Sequence, residues 1–224
     1  MSGTLYVCAT PIGNLEDVSL RLLATLRTVA LICAEDTRHT ARLLARHEIR
    51  TPLVSYHQHS APAKTEALVR RLEEGESLAL VTDSGTPGVS DPGPQLVSAA
   101  ARAGVPVVPV PGPCALAAAL SISGLDAQRF SFLGFLPKKP GKRRKALEAA
   151  LAREETLVLY ESPHRVLKVL QDLAELAPHA PVVVCRELTK KFEEAWRGTA
   201  AKVAAEYSGS EPRGEFVVVI GTEN

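Results

Sequence analysis

Glu35, Asp36 and His39 directly follow the apolar run Val29–Ala34, where a buried strand would give way to a helix. A carboxylate or imidazole at such a strand end can take the proton of a hydroxyl nucleophile. Glu35 is the first choice as base or orienting acceptor, and His39 the second. The competing reading is that Glu35 and Asp36 cap the helix that follows, whose dipole favours negative charge at its start.

Three further loops follow strand-like runs: Ala9–Asn14, Thr82–Gly93 and Pro111–Ala115. At the carboxyl ends of strands in an open α/β sheet, such loops are where ligands bind. Glycine lets backbone N–H groups approach a ligand, and proline stiffens the loop that presents them. Ordinary turns also use both residues. The middle loop, with Gly85, Gly88 and Gly93 beside Pro87 and Pro92, is longer than a simple connection needs, and it is expected to hold a ligand. No G-x-G-x-x-G occurs, and Gly141-Lys142 fails as a P-loop because Leu136 and Arg143 stand where glycine and Ser/Thr are required.

Lys138-Lys139-Pro140-Gly141-Lys142-Arg143-Arg144-Lys145 concentrates six cations in eight residues, and no acidic residue occurs from Ala127 to Leu147. A helix over 142–153 would carry these cations in its first turn and Glu154-Glu155 after its last. Both ends would oppose its dipole, so a phosphate backbone is a better reason for the cluster than stability. Such groups position RNA without reading bases. Arg165 also starts a helix, and Lys190-Lys191 beside Glu187 could bind a phosphate or orient a ribose. His57-Gln58-His59 lacks acidic or thiol company, and no metal site is expected.

These residues need a scaffold, and the apolar pattern predicts one. Strands are expected at Leu5–Ala9, Val29–Ala34, Leu53–Tyr56, Leu78–Thr82 and Val105–Val110, then at Phe130–Phe135, Thr156–Tyr160, Val182–Arg186 and Phe216–Ile220. Most are continuous apolar runs, as in strands covered on both faces. Helix starts are marked by Ser162-Pro163, by Asp91-Pro92, and less clearly by Ser19 and Thr37. Repeated β-α alternation implies an α/β protein with mostly parallel or mixed sheets, two rather than one. Four prolines between Val105 and Pro113 suit an edge strand running into a linker. They predict an N-terminal α/β domain over 1–113 with the glycine- and proline-rich loop. A C-terminal α/β domain over 114–224 would carry the basic segment.

The chain has 224 residues, a net charge of +1 and four cysteines without a C-x-x-C pair. It is no polycation, and Cys8, Cys33 and Cys185 in apolar runs read as buried thiols. A start without an apolar leader, and no long apolar span, predict a cytoplasmic protein.

Thr10-Pro11-Ile12-Gly13-Asn14-Leu15, Ala34-Glu35-Asp36-Thr37-Arg38, the run from Asp83 to Gly93, and Pro111-Gly112-Pro113 together resemble the RsmI-type branch of the tetrapyrrole methylase superfamily. Tyr160-Glu161-Ser162-Pro163-His164-Arg165 and Arg186-Glu187-Leu188-Thr189-Lys190-Lys191 extend the resemblance over nearly the whole chain. It implies two α/β domains with an S-adenosylmethionine cleft between them, unlike a Rossmann methyltransferase, and commonly a homodimer. It also implies methyl transfer to the ribose 2′-hydroxyl of a cytidine in small-subunit ribosomal RNA, free or in the assembled subunit. Ser84, Gly85, Thr86 and Val89 would contact the cofactor, with Pro11, Cys114, Ala115, Tyr160 and Leu188 at other lining positions. The family more often has serine or threonine where Cys114 stands, and a thiol hydrogen-bonds more weakly. RNA would meet Lys138, Lys139, Lys142, Arg143, Arg144, Lys145, Arg165 and Lys190. Two other readings remain: a tetrapyrrole or small-molecule methyltransferase of the same fold, against which the basic cluster argues, and a non-catalytic ribosome-binding protein, against which the 82–93 loop argues.

Overall fold

A computed structural model describes residues 2–207 and 213–223. The chain divides into two compact units, Met1–Cys114 and Ala115–Asn224.

In the first unit five strands, β1 (Leu5–Cys8), β2 (Leu31–Ala34), β3 (Leu53–Ser55), β4 (Leu78–Val81) and β5 (Val107–Val110), form one sheet in the order β3-β2-β4-β1-β5. All its pairings are parallel. Successive side chains of a strand point to opposite faces, so each apolar run feeds two cores. Cys8, Ile32, Ala34, Ala79 and Val81 meet Leu22 and Leu26 of α1 (Leu20–Thr28) and Leu43 and Leu44 of α2 (Thr37–Arg46). Leu5, Leu31, Cys33, Leu78 and Leu80 meet Leu68 and Leu72 of α3 (Pro62–Glu73) and Leu96 and Ala100 of α4 (Pro94–Arg102). Double coverage is why β2 and β4 read as unbroken apolar runs. Of the four prolines, Pro109 falls on β5 and the other three flank it; β5 is an edge strand paired with β1, where a missing N–H can be tolerated.

The second unit opens with α5 (Ala115–Ser123). Its sheet is mixed, with the order β6-β7-β10-β8-β9, and comprises β6 (Phe130–Phe135), β7 (Thr156–Glu161), β8 (Pro181–Arg186), β9 (Glu194–Thr199) and β10 (Phe216–Ile220). Leu157, Leu159, Val182, Val184 and Val218 pack under α6 (Pro140–Leu151), α7 (Pro163–Leu176) and α8 (Ala200–Tyr207). On the opposite face α5 packs against β10 and β7.

Three expectations need correction. β9 escaped the apolar pattern because it is an edge strand carrying Glu194 and Arg197, with one face open to water. The fourth helix is capped by Gly93 with Pro94 in its first turn, not by Asp91-Pro92. The second helix is capped by Asp36, whose carboxylate accepts from the Arg38 N–H at 2.8 Å, not by Thr37. Ser19 and Ser162 do stand at N-caps, and the Ser19 hydroxyl accepts from the Leu22 N–H at 3.0 Å. Cys8, Cys33 and Cys185 are buried free thiols; burial pushes them up to about 12, about 12 and about 11. No helix of the described residues is long and apolar enough to cross a membrane.

Candidate functional site

The carboxyl ends of β1, β4 and β5 tie three loops into one surface. An isolated bridge joins Thr10 to Gly85: the Thr10 N–H donates to the Gly85 carbonyl at 2.9 Å, and the Gly85 N–H returns the bond at 3.1 Å. The Thr10 hydroxyl donates to the Thr82 carbonyl at 3.0 Å. The Thr86 hydroxyl donates to the Pro113 carbonyl at 3.0 Å, joining the second loop to the third.

Glycine is required at Gly85. Its φ of +82° is left-handed, and a Cβ there would lie 3.3 Å from Ile12 Cγ2 and 3.7 Å from the Pro113 carbonyl. Within this knot Pro11 is buried, Ser84, Thr86, Val89 and Cys114 are half-buried, and Gly85 is enclosed. The Thr82 hydroxyl, in a residue 1 % exposed at the root of the loop, has no hydrogen-bond partner among the described residues. A buried orphan hydroxyl beside a rigid backbone cradle suits a polar ligand that supplies the missing partner.

Glu35 and Asp36 follow β2 with different duties. Asp36 caps α2 and accepts from the Arg38 side chain, which holds its carboxyl well below the usual range. Glu35 is half-buried; burial, then the neighbouring Asp83 charge, raise its carboxyl above the ordinary value. Asp83 is fixed in turn, because its carboxylate accepts from the Asp36 N–H at 2.9 Å. An acid pushed toward neutrality at a strand end is a group able to exchange a proton. His39 lies exposed on the first turn of α2. Sequence reasoning missed Asp83 as a partner of Glu35, since 48 positions separate them in the chain and only the adjacency of β2 and β4 joins them.

In the second unit Tyr160 is the penultimate residue of β7, and its hydroxyl accepts from the Leu116 N–H at 3.0 Å, beside Ala115 at the start of α5. Leu188 is buried in the segment after β8. That segment is strained: Glu187 and Thr189 hold φ values of +51° and +67° without being glycine. The Glu187 carboxylate steadies it by accepting from Lys190 Nζ at 2.9 Å and from the Glu215 N–H at 3.0 Å.

The basic residues separate into two groups. Lys138, Lys139, Lys142 and Lys145 are exposed around the start of α6. Arg143 is not part of that surface. It is 5 % exposed, and its Nε donates to Asp172 of α7 at 2.6 Å. Arg144 is half-buried and paired with Glu175 and with Glu148. Asp172 and Glu175 of α7 neutralise both arginines, so stability accounts for these two cations and no phosphate is needed to explain them. Arg165 is also engaged internally: its guanidinium donates to the Leu136 carbonyl at 2.6 Å and pairs with the buried Glu161 at 3.1 Å. Lys190 sits between Glu187 and Glu215, at 2.9 and 2.8 Å. No group of three or more His, Cys, Asp or Glu that could hold a metal occurs among the described residues.

The sequence model of the tetrapyrrole (corrin/porphyrin) methylases matches residues 4–204. A protein of Synechocystis sp. named ribosomal RNA small subunit methyltransferase I is 48 % identical over 219 residues, 97 % of this chain and 78 % of its own. Proteins of the same name from Xylella fastidiosa (strain Temecula1) and Bacillus subtilis are 51 % and 44 % identical, covering 97 % and 99 % of this chain and 81 % and 76 % of their own. Among solved structures, diphthine synthase superposes with a TM-score of 0.72 at 14 % identity, covering 98 % of this chain and 90 % of its own. A uroporphyrin-III C-methyltransferase from Thermus thermophilus, complexed with S-adenosyl homocysteine, superposes at 0.66 with 21 % identity, covering 98 % and 97 %. At these identities the two structures speak to the fold.

Proposed function

Because the chain belongs to the tetrapyrrole (corrin/porphyrin) methylase family, we propose that it transfers a methyl group from S-adenosylmethionine to small-subunit ribosomal RNA, at the ribose 2′-hydroxyl of a cytidine. The observation that carries this reading is near-full-length identity of 44–51 % to proteins named ribosomal RNA small subunit methyltransferase I. The ribose 2′-hydroxyl and the cytidine come from the family resemblance of the motifs.

The knotted loops fit the cofactor. In the first unit Pro11, Ser84, Gly85, Thr86, Val89 and Cys114 would hold it, with the orphan Thr82 hydroxyl as a further donor. In the second unit Ala115, Tyr160 and Leu188 would do so. When bound, the sulfonium supplies an electrophilic methyl group. The residues of this chain must then orient the ribose and take up its proton. Glu35 accepts the hydroxyl proton at its carboxylate as the oxygen–methyl bond forms, and its raised affinity for protons makes it a stronger base than an exposed glutamate. His39, exposed one helical turn further on, is the second acceptor. Lys138, Lys139, Lys142 and Lys145 hold phosphates and leave base choice to other contacts. A homodimer in the cytoplasm completes the reading.

Incubation with methyl-labelled S-adenosylmethionine and small-subunit RNA, assembled subunits or a tetrapyrrole precursor, followed by nucleoside analysis, tests it. Label on a cytidine ribose is expected. Label on the macrocycle, or tight RNA binding without transfer, would overturn it.

A further inference from the structure

We infer that the aromatic face of β6 is a stacking platform for bases of single-stranded RNA, continuous with the lysines that hold its phosphates. The inference rests on the RNA reading above and adds the surface that the bases meet.

The sequence Phe130-Ser131-Phe132-Leu133-Gly134-Phe135 alternates only in part. Under strict period-two geometry Phe135 would face opposite to Phe130 and Phe132. The register restores it: Phe130 pairs with Thr156, Phe132 with Val158 and Phe135 with Tyr160, so the shift between Phe132 and Phe135 absorbs one residue. Gly134, with φ of +58°, makes that bulge. All three phenyl rings therefore share one face, while Leu133 packs against the core. Phe130 and Phe135 are 43 % and 56 % exposed. The Tyr160 ring holds the row by edge contacts, 4.8 Å from Phe132 and 5.9 Å from Phe135 between centroids.

Exposed phenyl rings on an edge strand are a liability for solubility. Their neighbours say what covers them. Lys138 lies three residues beyond Phe135, at most about 10 Å along the chain, and no acidic residue interrupts 127–147. Arg165 fixes the turn between rings and lysines by donating to the carbonyls of Leu136 at 2.6 Å and Pro137 at 3.3 Å. Aromatic faces next to a cationic track match a ligand with alternating bases and phosphates. Duplex bases are already stacked on one another, so the platform selects single strands.

The test measures binding of an unstructured oligoribonucleotide, and of a duplex of the same sequence, across a salt series. Phe135→Leu and Phe135→Ala should weaken single-strand binding about 5- to 150-fold, the range for loss of one stacked base, and leave the salt slope in place. Phe135→Trp should keep the affinity and show indole quenching on binding, against the signal of the native Trp196. Lys138→Ala with Lys139→Ala should flatten the slope. Wild-type affinity in Phe135→Leu overturns the platform, as does a changed oligomeric state in sedimentation with unchanged RNA affinity, which would make this face a contact between copies. Should the lysine variant also bind as wild type, the RNA reading of the segment falls too. If it alone weakens binding, only the platform falls.

Discussion

Glu35 and Asp36 are adjacent carboxylates with opposite electrostatics. Asp36 spends its charge on a helix cap and on Arg38, which keeps it ionised and committed. Glu35 meets partial burial and the Asp83 charge, so it holds a proton to higher pH. The free base form of Glu35 fills as pH rises through this raised value. Methyl transfer should therefore climb with pH across that range and then level off. In Glu35→Gln that limb should vanish and turnover should fall by about 10²- to 10⁴-fold, while S-adenosylhomocysteine binding measured by calorimetry persists. Wild-type turnover in this variant would remove Glu35 from the chemistry. The motif Glu35-Asp36 was legible in the sequence; which carboxylate was free was not, because the answer depends on Asp83 in the loop after the neighbouring strand β4.

At the scale of elements, charge that looks uniform in sequence is sorted by packing. The helix α6 turns Arg143 inward onto Asp172 of α7 and leaves Lys142 and Lys145 outward. Removing one partner of a buried pair strands the other charge. Asp172→Ala should thus lower the unfolding free energy by about 3–5 kcal/mol in urea titration, whereas Lys142→Ala should stay within about 0.5 kcal/mol. Equal effects would contradict the sorting. The segment after β8 offers a second case. Burial opposes the Glu187 charge, but the Lys190 ammonium and the Glu215 N–H outweigh it and hold the carboxyl below its usual range. A lowered native value means stability that is present above the unfolded glutamate range and is lost as pH falls through the native one. Glu187→Gln should cost about 1.5–3 kcal/mol at neutral pH, as for a charged hydrogen bond, and the gap from wild type should close in acid. A gap constant with pH would show that the carboxylate does not brace this strained backbone.

For the molecule as a whole, net charge of +1 hides a local cationic surface on the second unit. Four exposed lysines, Lys138, Lys139, Lys142 and Lys145, carry it. Replacing all four by alanine should reduce the slope of log affinity against log salt by about 3, at roughly 0.7 per phosphate contact on a single strand. An unchanged slope would move the RNA surface elsewhere. The sequence made legible the α/β alternation, the strands buried on both faces, the edge placement of the proline-rich strand and the loops at strand ends, because periodicity and backbone chemistry are local properties. It could not show β9, whose charged and half-wet edge has no apolar pattern. Nor could it show the tie between Thr10 and Gly85, the partnership of Glu35 with Asp83, or the inward turn of Arg143, and the bulge that brings Phe135 to the face of Phe132 was equally hidden. Each of these joins residues whose contact depends on strand order, register or helix rotation, and only the packed structure sets those.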